Sequence, residues 1–215
     1  MSAYAPPDEP VRYVHVDAHL IVIDKPSGLL SVPGRGPEKA DCAVARVAAE
    51  YPGALTVHRL DMATSGLLVL ARSKEMQAAL SGLFERGEVE KAYIADVWGM
   101  PEPAAGGIDL PLITDWPNRP RQKVDHEIGK PSRTLYETVG SGAHGARLQL
   151  TPLTGRSHQL RVHLAEIGHP ILGDDLYAHE AARAAASRLH LHASRIAFDH
   201  PATGERMDLS LPCPF

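Results

Sequence analysis

The sequence is poor in the features that mark secreted, membrane-spanning and zinc-binding proteins. Its 215 residues include two cysteines, Cys42 and Cys213, which lie far apart and form no CxxC pair, so a disulfide framework and a cysteine zinc site are excluded. The longest apolar stretches, such as Gly66–Ala71, are far shorter than the roughly 20 residues of a membrane helix. Met1–Pro10 lacks the basic start and apolar core of a signal peptide. We therefore expect a cytoplasmic protein without membrane contact.

A strongly basic character, common in nucleic-acid-binding domains, is also missing. The net charge is −4 and the isoelectric point about 6.3, whereas such domains often have an isoelectric point above about 9. Among the 22 basic residues, however, arginine outnumbers lysine by 16 to 6, and the planar guanidinium suits phosphates and base edges. Bulk charge therefore argues mildly against nucleic-acid binding, and the arginine excess decides nothing, because a coding bias towards arginine explains it equally well.

Ordinary proportions of apolar and charged residues indicate a folded protein. The hydrophobic fraction is 44% and the charged fraction 22%, both near the averages for globular domains. Alternating and apolar runs predict a strand, a helix, a strand, a helix and then many strands, which is not the regular alternation of a Rossmann fold. We predict an α+β fold with a central, mostly antiparallel sheet and flanking helices. Residues 1–10 are predicted as a loose arm and residues 11–215 as a single domain.

Local signals place several of these elements. Ser73 and Gly87 are typical of the first and last positions of a helix. Val89–Trp98 alternates between apolar and polar residues, which predicts a half-buried strand with Lys91 and Tyr93 on the same face.

The second half of the chain gives weaker signals. Residues 99–133 are rich in proline and glycine, and we expect mostly loop there, apart from a short strand near Asp109–Ile113. Gly155–Ile167 is predicted as a loop that leads into a helix, and Ala178–Ser187 as a short alanine-rich helix.

Common cofactor motifs fail on inspection. Gly34–Gly36 begins like a dinucleotide-binding loop, but Pro37 and Lys39 break the pattern. The chain contains neither a GxxxxGK[ST] phosphate loop nor a GxSxG nucleophile turn. His158 and His163 are five residues apart rather than the four of a helical metal pair. We therefore expect the histidines to cap, pair or line a polar cleft.

The segment His58–Gly66 (HRLDMATSG) is the strongest candidate for chemistry. It places the carboxylate of Asp61 beside Arg59 in a polar turn between two apolar segments. A neighbouring positive charge keeps such a carboxylate ionised, as a nucleophile or a base requires. Taken alone, an aspartate in a turn is typical of a cap, so this segment needs support from the rest of the chain.

That support comes from a family resemblance. His58–Gly66 resembles the catalytic segment of the RluA-type RNA pseudouridine synthases. Asp24–Pro33 (DKPSGLLSVP) resembles the first motif of that family, and Lys91–Tyr93 its basic-x-Tyr strand. Gly155–His163 (GRSHQLRVH) and Gly168–Asp174 (GHPILGD) resemble its C-terminal motifs. The five segments span nearly the whole chain in the order that the family has.

The resemblance implies the fold of this family, with an RNA-binding cleft, and the isomerisation of uridine to pseudouridine in structured RNA. It implies no metal, nucleotide or redox cofactor, and RNA rather than DNA as the partner. Independently of the resemblance, we expect a monomer. Ser31–Arg35 and Asp115–Pro120 resemble a subgroup that acts on large-subunit rRNA and on the tRNA anticodon stem-loop. No S4-like RNA-binding domain is expected in front of the catalytic domain.

The resemblance also implies roles for single residues. Asp61 matches the catalytic aspartate, and Arg161 the arginine that pairs with it. Arg59 matches the arginine that enters the base stack when the target nucleotide leaves. Tyr93 matches the tyrosine that stacks on the uracil, and Leu160 an apolar residue that packs against it. These side chains are expected to meet in one cleft.

Other basic residues are candidates for contact with RNA. Lys91 lies beside Tyr93 on the predicted strand, and Arg156 lies where a helix begins. The remaining candidates are basic and cluster in the loop region around Trp116: Arg119, Arg121, Lys123, Lys130 and Arg133. Lys25 and Arg35 are weaker candidates for phosphate contact. Nearby acidic residues dilute the loop charge, so an ordinary solvated loop explains the cluster equally well.

Competing interpretations apply to these residues. Taken alone, Tyr93 is typical of a core position and Arg161 of a charged helix surface; only the joint pattern favours an active site. A catalytically silent RNA-binding module on the same scaffold is the main alternative function. A carboxylate glycosidase is another, for which Asp174 is a possible second carboxylate.

Overall fold

The fold consists of two compact units that share two strands of the chain. A computed structural model describes residues 4–215; residues 1–3 of the predicted arm lie outside the described residues. Unit 1 comprises residues 4–91 and Ala193–Pro212, and unit 2 comprises Ala92–His192 and Cys213–Phe215. The chain passes from unit 1 to unit 2 within one strand and returns within another.

Unit 1 combines β-strands with two helices. Its strands are β1 (Arg12–Val16), β2 (Leu20–Lys25), β3 (Leu55–Thr56), β4 (Ser65–Ala71), the start of β5 (Glu90–Asp96), the later part of β11 (Leu191–Asp199) and β12 (Arg206–Ser210), and its helices are α1 (Ala43–Glu50) and α2 (Lys74–Arg86). The strand order is β1-β2-β4-β11, with β3 beside β4 and β12 beside β11. The pairs β1–β2, β2–β4, β3–β4 and β11–β12 are antiparallel.

The core of unit 1 follows from the apolar residues of β2 and β4. Every residue of β4 is buried, and Leu80 of α2 and Phe198 of β11 belong to the same core cluster. Ser73 accepts a hydrogen bond from the Met76 N–H, and Gly87 ends the helix in the left-handed conformation. The helix predicted between these two residues is confirmed.

Unit 2 contains a run of four antiparallel strands, a β-hairpin and two short helices. Its elements are the rest of β5, β6 (Ala105–Asp109), β7 (Leu112–Thr114), β8 (Gln122–Val124), β9 (Arg133–Gly142), β10 (Gly145–Pro152), α3 (Gln159–Glu166), α4 (Glu180–Ala184) and the start of β11. The order is β5-β10-β9-β6, and each of these neighbours is antiparallel. β7 and β8 form a separate antiparallel hairpin.

Most of residues 99–133 lie outside strands, as expected, but the expectation of a single short strand near Asp109–Ile113 is wrong. Three strands occupy this region, β6, β7 and β8. They are three to five residues long, too short to show a period in the sequence. The alanine-rich helix is also shorter than predicted, because α4 spans only Glu180–Ala184.

The described part of the N-terminal arm contacts α1. Tyr4 donates from its hydroxyl to the Asp41 carbonyl, and the guanidinium of Arg46 donates to the carbonyls of Pro7 and Glu9. Residues 4–10 have neither helix nor strand, so these hydrogen bonds satisfy carbonyls that no regular element uses. Across residues 4–215, no helix is both long and apolar enough to cross a lipid bilayer.

The N-cap of α2 gives a stability prediction. Ser73→Ala removes the acceptor for the Met76 N–H and is expected to lower the free energy of unfolding by about 1 kcal/mol. Ser81→Ala, in the interior of the same helix, is the matched control and is expected to be neutral or slightly stabilising. Urea unfolding of both variants measures the difference, and equal effects would contradict the cap.

Candidate active site

Asp61 lies in a short loop between β3 and β4 of unit 1. The Asp61 carbonyl accepts the Thr64 N–H at 3.1 Å, which closes a tight turn. Leu60 is buried, whereas Arg59 is exposed and Asp61 is partly buried. The buried leucine therefore anchors the loop and leaves the two charged side chains nearer the surface.

The loop after β2 holds the backbone of the Asp61 loop. The Ser27 hydroxyl donates to the Ala63 carbonyl at 2.6 Å, and the Gly28 N–H donates to the Met62 carbonyl at 2.8 Å. The Ser31 hydroxyl donates to the Leu60 carbonyl at 2.7 Å and accepts the Leu60 N–H at 3.1 Å. Flanking residues on both sides of Asp61 are thus fixed, which explains why the KPSG segment accompanies the HRLD segment.

Lys25 completes this arrangement from below the surface. Its side chain has no exposed area, and its ammonium donates to the carbonyls of Pro26, Leu29 and Met62 at 2.9, 2.7 and 3.1 Å. An ammonium has three N–H donors, and these three carbonyls match that number. An enclosed side chain has no surface left for a phosphate, so the phosphate role considered for Lys25 is wrong.

His58 ties the start of the loop to the sheet. Its Nε2 accepts the Val69 N–H of β4 at 3.0 Å, just beyond the point where β3 stops pairing with β4. The ring stacks on Phe84 with centroids 4.4 Å apart. Burial, followed by the positive charge of Lys91, lowers the pKa of His58 to about 3. The imidazole is therefore neutral at physiological pH and accepts the hydrogen bond.

Lys91 lies close to this aromatic cluster. Its ammonium is 5.9 Å from the centroid of the Phe84 ring, within the distance of a cation–π contact. Burial lowers the pKa of Lys91. Part of the Lys91 side chain is therefore buried against apolar surface within unit 1.

Arg161 is the main charged group of helix α3 in unit 2. It is 3% exposed, and its Nε and Nη2 donate to the two carboxylate oxygens of Asp174 at 2.8 and 2.7 Å. Nη2 also lies 3.1 Å from Asp175. Bidentate pairs of this kind fix a guanidinium in one orientation. The alternative of a surface charge on a helix is thus wrong for Arg161.

The two uracil-contact candidates of unit 2 have different environments. Tyr93 lies on β5 opposite Leu150 of β10 and is partly buried, so it is not a fully enclosed core side chain. Leu160 is buried at the start of α3, 7% exposed.

Arg156 precedes α3 and is exposed. Its backbone N–H donates to the Gln159 side chain at 3.0 Å, and its Nε donates to the Pro131 carbonyl at 3.3 Å. The hydrogen bond from Nε is long and lies at an exposed position.

The basic cluster of the loop region surrounds the β7–β8 hairpin, residues 112–124. Arg119 lies 4.0 Å above the ring of Trp116, which is 64% exposed. Arg121 is exposed and lies 5.3 Å from the ring centroid of Tyr177. Lys123 is exposed and forms an ion pair with Asp125 at 3.5 Å. The hairpin therefore presents three cations and an indole to solvent.

The histidines of α3 have hydrogen-bond partners in unit 2. His163 is fully buried, with Nδ1 2.9 Å from the Thr134 hydroxyl and Nε2 3.1 Å from the Leu110 carbonyl. Burial is the main cause that lowers the pKa of His163. His158 bonds to Tyr177. Within residues 4–215, no group of three or more His, Cys, Asp or Glu side chains is arranged to hold a metal ion.

A family comparison decides the assignment. The model of the family described as RNA pseudouridylate synthase matches residues 19–166, which include the loops around Lys25 and Asp61 and all of α3. The chain belongs to the RNA pseudouridylate synthase family. The predicted family and the predicted activity, isomerisation of uridine to pseudouridine in RNA, are confirmed by this membership.

Curated members of the family cover the chain from end to end. The "Dual-specificity RNA pseudouridine synthase RluA" of Escherichia coli K12 is 52% identical over 217 residues, which covers 100% of this chain and 99% of that protein. The protein of the same name from Vibrio vulnificus is 48% identical over 221 residues, 100% of this chain and 88% of that protein.

Solved structures of pseudouridylate synthase proteins share the fold. Human RNA Pseudouridylate Synthase Domain Containing 1 has a TM-score of 0.79 and 27% identity, covering 96% of this chain and 85% of that one. Human RNA Pseudouridylate Synthase Domain Containing 4 has a TM-score of 0.75 and 28% identity, covering 94% and 88%. The predicted α+β pseudouridine synthase fold is confirmed.

For three residues of this pseudouridylate synthase, the structure shows contacts that the roles expected from the sequence did not include. Asp174 holds Arg161, Tyr177 contacts both Arg161 and the hairpin, and Lys25 holds the Asp61 loop. Asp174 and Lys25 lie inside two of the family motifs, and this position was the only feature of the sequence that pointed to them. Tyr177 follows three residues after the last motif and gave none.

The low pKa of His58 predicts a pH-dependent stability. Between about pH 6.5 and about pH 3, the unfolded chain binds one more proton at this site than the folded chain, so the free energy of unfolding falls as the pH falls. His58→Gln retains an acceptor for the Val69 N–H but does not titrate. It is expected to flatten the pH dependence in this window.

Urea unfolding at about pH 7 and about pH 5 measures this effect. His126→Gln, at an exposed position, is the control and should leave the pH dependence of the wild type. An equal pH dependence in wild type and His58→Gln would contradict a buried, neutral His58.

Proposed function

We propose that this RNA pseudouridine synthase modifies uridines in both large-subunit rRNA and the tRNA anticodon stem-loop, with Asp61 as its catalytic residue. The observation that carries the proposal is the full-length match, at 52% identity, to a protein whose name gives it dual specificity for RNA. The Ser31–Arg35 and Asp115–Pro120 segments support the same subgroup. The hydrogen bonds by which Lys25 holds the Asp61 loop support the catalytic role that we propose for this loop.

The reaction exchanges one bond of uracil for another. The bond between C1′ of the ribose and N1 of the base breaks, the base turns, and C5 bonds to C1′. C5 then loses its proton and N1 gains one, so the product is an isomer of the substrate. Asp61 attacks the sugar or the base, or removes the C2′ proton, and each route uses its ionised carboxylate.

The target uridine leaves the base stack before the reaction. Extruding a nucleotide costs a few kcal/mol, and the exposed Arg59 compensates by entering the space that the base leaves. Tyr93 stacks on the extruded uracil and Leu160 packs against it. Arg161 has the role that the resemblance implies for it, that of the arginine which pairs with the catalytic aspartate. The proposal requires residues 11–215 to act as one catalytic domain on a single uridine. Lys91, which lies beside Tyr93 on β5, assists in holding that uridine.

Phosphates of the RNA are contacted by exposed cations of unit 2. Arg119, Arg121 and Lys123 of the hairpin and Arg156 before α3 are all exposed. Within the hairpin, the weak ion pair of Lys123 is replaced by a phosphate at little cost. These exposed cations supply local positive charge in a chain whose net charge is −4. We further propose that the enzyme works as a cytoplasmic monomer and needs no cofactor.

The central test is Asp61→Asn. The amide is similar in size but cannot act as nucleophile or base, so release of tritium from C5-labelled uridine is expected to be abolished with rRNA and tRNA transcripts. Asp199→Asn, an exposed position of unit 1, is the matched control and should retain activity. Full activity of Asp61→Asn would remove Asp61 from the mechanism, and wild-type activity on neither RNA would overturn the proposed substrates.

The phosphate contacts predict a salt dependence. Affinity for RNA should fall steeply with salt, and Arg119→Ala should reduce the slope of log K against log salt by about 1. Lys74→Ala, in α2 of unit 1 and exposed, is the control and should keep the wild-type slope. Filter binding over a salt series measures the slopes; an unchanged slope for Arg119→Ala would place that side chain outside the RNA contact.

A further inference from the structure

Tyr177 lies at a junction of unit 2 that the proposed mechanism does not use. Its hydroxyl accepts the backbone N–H of Gln122, the first residue of β8, at 2.8 Å. The same hydroxyl lies 2.6 Å from Nδ1 of His158. A tyrosine hydroxyl can accept one hydrogen bond and donate another, so both partners are satisfied by one oxygen atom.

The ring of Tyr177 contacts the guanidinium of Arg161. The distance from the guanidinium carbon to the ring centroid is 5.2 Å. Asp174 stabilises both partners of this contact. Its Oδ1 accepts the N–H groups of Leu176 and Tyr177, and its two carboxylate oxygens accept hydrogen bonds from Arg161. One carboxylate therefore fixes both the arginine and the turn that carries the tyrosine.

His158 extends the junction to the first turn of α3. It is the N-cap of α3 and has φ of +54°, the one positive φ at a residue other than glycine among residues 4–215. Such a conformation costs about 1–2 kcal/mol for a residue with a Cβ. The hydrogen bond to Tyr177 and the packing of α3 compensate for this cost, and they fix the backbone three residues before Arg161.

The other end of the junction is the β7–β8 hairpin, which carries Arg119, Arg121 and Lys123. Backbone hydrogen bonds in both directions between Leu112 and Lys130 hold the base of the hairpin. The bond from Gln122 to Tyr177 joins its second strand to the turn after α3. A displacement of β8 is therefore transmitted to the hydroxyl of Tyr177.

We propose that Tyr177 is a positioning residue that couples RNA contact at the β7–β8 hairpin to the orientation of Arg161. The proposal rests on the proposed function, since it needs the hairpin to bind RNA and Arg161 to act in catalysis. Phosphates bound by the hairpin fix β8, and β8 fixes the Tyr177 hydroxyl through the Gln122 N–H. The tyrosine ring then holds the Arg161 guanidinium in its active orientation.

Tyr177→Phe tests the coupling because it retains the ring and removes the hydroxyl. With saturating RNA in single-turnover conditions, the rate is expected to fall about tenfold, since a slightly misplaced catalytic group costs rate rather than affinity. The dissociation constant for RNA is expected to stay within about threefold of the wild type. Tyr13→Phe, a partly buried tyrosine of unit 1, is the matched control and should change neither quantity.

A double-mutant cycle distinguishes coupling from a purely structural role. In the wild-type background, Arg119→Ala should lower both RNA affinity and the saturated rate. In the Tyr177→Phe background it should lower affinity alone, because the connection to Arg161 is already broken. Additive effects on the saturated rate would overturn the proposal.

His158→Gly provides a second variant if Tyr177→Phe folds poorly. Glycine accepts the positive φ without strain, so only the imidazole is lost, and a reduced saturated rate with retained affinity is expected again. If Tyr177→Phe and His158→Gly both keep the wild-type rate while Asp61→Asn abolishes activity, the coupling is contradicted and the proposed function stays intact. Absence of wild-type activity would instead contradict the proposed function.

Discussion

A buried ammonium group determines the shape of the loop that carries Asp61. Lys25 has no exposed area and donates to three backbone carbonyls. A charge removed from water without such partners costs several kcal/mol, so the carbonyls of Pro26, Leu29 and Met62 cannot turn away without a large penalty. Two loops that lack regular structure thereby acquire one conformation. The catalytic role proposed for Asp61 needs this rigidity, because electrostatic stabilisation works only when its groups are fixed before the reaction begins.

Unit 2 follows the same principle with a different pair of groups. Arg161 and Asp174 are both nearly inaccessible to water and bind each other through two hydrogen bonds. Removing one partner would leave the other charge buried and unpaired, a cost of about 3–5 kcal/mol. His163 reinforces α3 through Thr134 and Leu110. Lys25 in unit 1 and Arg161 in unit 2 are therefore each oriented by polar partners of their own unit, within surroundings that apolar side chains pack.

The sequence predicted the elements with strong local signals and missed those defined by distant partners. The ends of α2 were predictable because Ser73 is a local signal for the start of a helix and Gly87 is one for its end. The burial of Lys25 was not, because lysine is almost always exposed and Met62 lies 37 residues away. The pairing of Arg161 with Asp61 stays a prediction, and the partner of Arg161 within unit 2 is Asp174, which a motif match alone does not single out. Strands as short as β7 give too few residues to define a period.

The position of the aromatic residues has a spectroscopic consequence. The chain has two tryptophans, Trp98 and Trp116, and both belong to unit 2. Trp98 is stacked with His144, whereas Trp116 lies exposed beneath Arg119. Indole emission therefore reports on unit 2 alone, while far-ultraviolet circular dichroism reports on the backbone of both units. Superposition of the two denaturation curves would identify a single cooperative transition, and separated curves would reveal that each unit melts independently.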